Sequence, residues 1–256
     1  MNRRQFLVRA TTSLATTLAV AGPWGAVSRA GTWPEKDLSA EIAVIIDDIG
    51  FSRSRAHRFL TLGIPLTFSI LPRITYTGEL ADRLHAAGHE IMLHQPMEPV
   101  NDRYNPGPGA VYTAFRQPEI VSAVERNISE IPHVIGVNNH MGSKFTADPE
   151  KMRQALGVVK SKALFFVDSM TTHRSKGYPT ASRLGITTAR RNIFLDNRTT
   201  VPAILAQLEK LQGVALKNGK ALAIGHPFPE TAAAIRQFNR ARKKANVKFV
   251  HVSKVL

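Results

Sequence analysis

The sequence predicts an α/β fold, a single parallel barrel of about seven β-α units. Short apolar runs rich in β-branched residues alternate with stretches of helical spacing from residue 41 to the end. Nearly all the strand-like runs are continuously apolar, as parallel strands covered on both faces must be. Carboxylates, amides and imidazoles recur where those runs end, and the carboxyl ends of barrel strands are where chemistry sits. With 43% hydrophobic and 21% charged residues, the composition is that of a folded chain rather than a disordered one. No internal repeat is visible.

The first thirty residues read as an export signal. "MNRRQFLVRA" is basic, "TTSLATTLAVAGPWGAV" is mildly apolar, and Ser28-Arg29-Ala30 supplies small residues before a cut at Gly31. Arg3-Arg4 followed by Phe6-Leu7 resembles the twin-arginine pattern, which implies a periplasmic or secreted protein. The apolar run is broken by Thr, Gly and Pro, so no stable transmembrane anchor is expected. Residues 31–40 form a linker, and 41–256 the barrel domain.

The strand candidates in order are "IAVIID", "IPLTFSI", "HEIML", "VIGVN", "LFFVD", a weaker "ITTARR", "ALAIG" and "VKFVHV". Among the helices, "QPEIVSAVERNISEI" places Ile120, Val124, Ile128 and Ile131 on one face. "DPEKMRQALGVV" opens with Asp148 as cap and Pro149 at the first helical position. Residues 201–214 carry Val201, Ile204, Leu205, Leu208, Leu211 and Val214 along one stripe. "PMEPVNDRYNPGPGAVYTAF" is a long Pro- and Gly-rich loop, of the kind that walls a barrel mouth.

The chain has no cysteine, so disulfides and thiolate metal sites are excluded. The net charge is +15, and only four of its arginines precede residue 31. Such a basic chain attracts polyanions. Few aromatics and no recognition motif argue against nucleic acid, leaving anionic envelope glycans or lipids as partners. "RQFNRARKK" at 236–244 reads as the solvent face of a helix.

Reading off the strand ends gives Asp47-Asp48, Ser69, His94, Asn138-Asn139-His140, Asp168 and His226. Two adjacent carboxylates repel unless a cation neutralises them, although Asp is also common wherever a strand meets a loop. A mixed His and Asp set without sulfur suits zinc or another divalent metal.

"IDDIGF", "HQPMEP", "NNHMGS", "FVDS" and "GHP", in this order, resemble the divergent polysaccharide deacetylases over about residues 40–256. That family implies a distorted barrel and a metal-dependent hydrolase removing N-acetyl groups from an envelope glycan. By position Asp47 corresponds to the general base and Asp48 to the metal-binding aspartate. His94 corresponds to the first metal histidine and His226 to the general acid. The family's second metal histidine lies four residues after the first, where this chain has Glu98. Either Glu98 or His140 completes the site, and His140 is preferred because Asn138 and Asn139 flank it as orienting partners. The arginine that accompanies the base is absent, with Lys144 the nearest substitute. Asn139, Asp168 and Tyr104 are candidate substrate contacts, with Tyr112 as a second stacking ring; Asp168 is equally a strand-end cap. Arg73 and Lys144 are candidates to meet an anionic substrate. The altered motifs also admit an inactive protein that binds glycan or a partner through the same pocket.

Overall fold

A computed structural model describes residues 39–241 and 246–256; the predicted signal, nearly all of the predicted linker and residues 242–244 of the basic cluster lie outside them. The elements run β1 (Ala40–Ile49), α1 (Arg53–Leu60), β2 (Thr67–Ile70), α2 (Thr77–Ala86), β3 (Glu90–Met97) and α3 (Gln117–Ser129). They continue β4 (Val134–Met141), α4 (Pro149–Ser161), β5 (Phe165–Asp168), α5 (Gly177–Arg183) and β6 (Thr188–Arg190). The last are β7 (Ile193–Phe194), α6 (Val201–Asn218), β8 (Lys220–Gly225), α7 (Pro229–Ala241) and β9 (Val247–Val250).

All strand pairs are parallel, in the order β6-β5-β4-β3-β2-β1-β8-β7, with β9 also beside the start of β1. β6 and β7 occupy opposite edges of this sheet, yet only Arg191 and Asn192 separate them. Three residue steps reach at most about 11 Å, so the two edges must curl together. The seam is tied by consecutive amides: Arg191 N donates to Asp168 O on one edge, and Asn192 N to Leu222 O on the other. The fold is therefore the curled, distorted β/α barrel that the sequence predicts.

Local chemistry explains the helix ends. Asp148 Oδ1 accepts from the amides of Glu150 and Lys151, capping α4 beside Pro149. α6 stops at Gly219, whose φ of +81° suits a residue without a Cβ. Two differences from the sequence reading matter below. β7 is a two-residue strand too short to show any period, and β3 and β4 run three residues past His94 and Asn138 because Gln95–Met97 pair with Asn139–Met141.

Strand alternation divides the core in two. Ile42, Val44, Ile46, Phe68, Ile70, Ile91, Leu93 and Phe166 face outward under the helices, where Phe59 meets Phe68 edge-on at 6.3 Å. Ala43, Ile45, Met92, Phe165, Val167, Leu222 and Ile224 face inward and pack with Val252 and Val255. The ring of Phe165 fills the space a Cβ on Gly136 would need. The turn after β9 closes the amino-terminal end of the barrel, with Val252 N donating to Thr67 Oγ1 and Ser253 bonded to Glu90. The other end is left for the polar residues.

Candidate active site

The inward faces of the strands carry polar residues as they surface. Asp47 continues the row Ala43–Ile45, His94 continues Met92, Asn138 and His140 continue Gly136, and His226 continues Leu222–Ile224. Alternation alone would send Asp48 to the outer face. A bulge prevents this. β1 pairs Ile46 with Phe68 but Ile49 with Ile70, three steps against two, and Asp48 takes a φ of +55°. Asp tolerates that left-handed conformation better than most residues, and bulges commonly re-aim a side chain at a site. Both carboxylates therefore reach the same end of the barrel.

Asp48 Oδ1 lies 3.2 Å from His94 Nε2 and 3.1 Å from His140 Nδ1, and those two nitrogens are 3.2 Å apart. Neither ring is aimed at the oxygen as a donor, so Asp48 Oδ1 is buried without a hydrogen bond. Three such atoms around one point fit a divalent cation. A tetrahedral zinc with ligands at about 2.1 Å has ligand edges of about 3.4 Å. Burial pushes the Asp48 carboxyl upward, but the His140 and His94 rings more than reverse this and hold it far below the usual carboxylate range. A carboxylate so held is available as a ligand at any ordinary pH.

Asn138 organises the interior of the site. Its Nδ2 donates to Asp47 Oδ1 at 2.8 Å, so its Oδ1 faces His94 Nδ1 at 2.7 Å and also accepts from Ser69 Oγ. Two acceptors would repel at that distance, so His94 Nδ1 carries a proton, and in the neutral ring the lone pair is on Nε2, facing His140 Nδ1. Asp47 is 3% exposed, with Oδ2 3.5 Å from His94 Nε2. Burial raises its pKa against the pull of His94, His226 and Asn138.

His226 follows β8 with Nε2 3.9 Å from Asp48 Oδ2. Its Nδ1 is 2.9 Å from Asp196 Oδ1, and Asp196 Oδ2 accepts from His226 N and Thr231 Oγ1. Phe194 and Phe228 lie against the ring at 5.2 and 5.9 Å. Burial alone would lower the imidazolium's pKa, but Asp196, with Asp47 and Asp48, raises it to about 9. Asp196 was not anticipated from the sequence. It ends "IFLD", and the apolar triplet before it was the only available signal.

The other expected residues lie elsewhere. Glu98 does not join the cluster: its carboxylate accepts from Thr113 N, Thr113 Oγ1 and Lys144 Nζ. Lys144 is thereby bound to Glu98 rather than to Asp47. Asn139 faces outward, its Oδ1 accepting from Ser169 N and its Nδ2 donating to Met141 O and Thr171 Oγ1, so its side chain is bonded away from His140. Asp168 is fully buried and bonded to Met170 N, Ser175 Oγ and Tyr178 N, which makes it the cap of the loop after β5. Tyr104 is 61% exposed on the loop, and Tyr112 packs on Phe115. Arg73 pairs with Glu130. A half-buried cation that interacts electrostatically with Asp47 is Arg191, whose guanidinium donates to Ser169 O and Met170 O; burial lowers its pKa while Asp47 and Asp168 oppose this.

A family model of divergent polysaccharide deacetylases matches residues 44–256. YibQ, an uncharacterized protein of Escherichia coli K12, is 28% identical over 200 residues, covering 78% of this chain and 62% of its own length. The chain thus spans less than two thirds of that relative. The crystal structure of an uncharacterized protein of Agrobacterium tumefaciens C58 superposes with a TM-score of 0.81 at 23% identity, covering 85% of this chain and 89% of that one. A CE4-family pseudoenzyme of Bacillus anthracis superposes at 0.52 and 12% identity, covering 84% and 65%. A variant of that pseudoenzyme with restored enzymatic activity also superposes at 0.52. The structural likenesses concern the fold. None of the described helices is long and apolar enough to cross a membrane. With the match running from β1 to the last residue, this chain belongs to the divergent polysaccharide deacetylase family.

Proposed function

We propose that this protein is a zinc-dependent deacetylase of an N-acetylated envelope glycan, exported through its twin-arginine-type leader. The observation that carries this reading is the convergence of Asp48 Oδ1, His94 Nε2 and His140 Nδ1, with the oxygen buried and unbonded. Those three residues would hold the ion. When bound, a divalent ion polarises an amide carbonyl and acidifies water at the site. Asp47, beside the cluster but outside it, takes the proton of the attacking water. Its raised pKa makes it a better base than an exposed aspartate. His226 holds a proton on Nε2 and gives it to the departing amine. Asp196 fixes that ring by accepting from Nδ1, and Phe194 and Phe228 keep it from turning.

The test is metal content and acetate release on the mature protein. Zinc is expected at one per chain, and acetate is expected from at least one of chitin-like, peptidoglycan or exopolysaccharide fragments. Asp47→Asn should keep the zinc and lower acetate release by about 10²–10⁴-fold. Native protein without stoichiometric metal overturns the reading.

A second reading, an inactive glycan-binding protein, is favoured by two observations. Lys144, the candidate replacement for the missing arginine, is bound to Glu98, and the B. anthracis neighbour is described as a pseudoenzyme. Under it, zinc and glycan bind but no acetate is released.

A further inference from the structure

Beside the cluster lies a hollow of about 200 Å³ that shares Asp48 with it and whose lining includes His226, Phe51, Arg55 and Phe228. We propose that this hollow is a subsite for a sugar bearing a carboxylate, held by Arg55 next to the sugar whose acetamide reacts. The inference rests on the deacetylase reading only in placing that acetamide at the cluster.

Cations near the barrel mouth are mostly committed. Arg53 is bonded to Glu79 and lies over the Tyr76 ring, Arg73 pairs with Glu130, and Lys144 pairs with Glu98. Arg55 differs. Its backbone amide is bonded to Ser52 Oγ, and among the described residues no acidic side chain pairs with its guanidinium. A free guanidinium fork matches one carboxylate in bidentate fashion. Once a divalent cation balances Asp47 and Asp48, Arg55 is the uncompensated charge facing the hollow.

Phe51 is 61% exposed at its lip, a position that folding does not reward. An aromatic ring there offers the flat apolar face on which a pyranose lies, while Arg55 reads its charged substituent. The lip is also anchored to the chain after β2. Gly50 has a φ of +131°, a Cβ there would come within 2.4 Å of Ile74 Cδ1, and Tyr76 N donates to Gly50 O. The turn that presents Phe51 is thus tied to the Ile74–Tyr76 segment.

The test uses the zinc-loaded full chain and calorimetry with a tetrasaccharide alternating N-acetylhexosamine and uronic acid, and with its methyl ester. The acid should bind roughly three- to tenfold more tightly than the ester, the range for a partly exposed charge pair. The difference should shrink as added salt shortens the screening length. Arg55→Ala should bring the acid to the ester's Kd, and Arg55→Lys should keep part of the preference. Equal binding of acid and ester, no binding of the acid, or a preference that survives Arg55→Ala overturns the proposal. Acetate release, followed in the same samples, judges the deacetylase reading separately. Preference without acetate leaves the subsite standing, and acetate without preference removes the subsite alone.

Discussion

Asp48 and Asp168 both close an apolar parallel strand, and their surroundings could hardly differ more. Asp168 is wholly buried with donors on both oxygens, and Gly177 lies so close that a Cβ there would come within 2.7 Å of Oδ2. Asp48 keeps one buried oxygen that nothing in the protein bonds. A carboxylate that is fully satisfied holds a loop together. One left with an open buried oxygen beside two imidazoles is kept for something that binds.

Four experiments press on that contrast. The largest effect is expected at Asp48. Asp48→Ala should abolish stoichiometric zinc binding in a competition titration. Chelation should then lower the melting temperature of the parent protein but not of this variant. Asp168→Ala should do the reverse, costing about 2–4 kcal/mol in denaturant unfolding because buried donors lose their acceptor, while zinc still binds. If Asp168→Ala lost zinc without losing stability, the two carboxylates would not be distinct in kind.

Asn138→Ala removes the group that sets the His94 proton, and should weaken zinc by about 10–100-fold with a smaller effect on stability. The smallest effect concerns His226 in the metal-free protein. Its folded pKa of about 9 stands above its ordinary 6.5, so its contribution to stability is complete below that ordinary value and disappears as pH rises through about 9. An NMR titration should place the ring's midpoint near 9. In Asp196→Asn the midpoint should fall, and a midpoint that stays high would mean Asp196 is not what holds the proton.

Much of the fold was legible in the sequence, and alternation accounts for which strand-end residues the structure brings together and which it does not. The strands were visible as apolar runs, so the barrel and the polar residues at its mouth could be placed. Which of those residues meet depends on counting in twos. Ala43, Ile45 and Asp47 share a face, as do Met92 and His94, whereas Asp168 shares its face with Phe166 under the helices. Asn139 falls on the outer face for the same reason, between Asn138 and His140. Applied strictly, that count removes Asp168 and Asn139 from the candidate substrate contacts. It would also have removed Asp48, because a bulge has no signature in residue type. Asp196 was missed because its strand is two residues long. The Lys144–Glu98 pair joins loops after different strands, a proximity that only folding creates.

The three-against-two step in β1 has a consequence for how this centre can be lost. Shorten the chain by one residue between Ile46 and Ile49, and the strand regains plain pairing with its neighbour. Histidines, amides and at least one aspartate would all survive, yet neighbouring side chains would again point to opposite sides and Asp47 and Asp48 would no longer reach the same end of the barrel. In such a lineage the inventory of reactive groups would look nearly intact while the centre was gone, so descent should be audited here by spacing before it is audited by spelling.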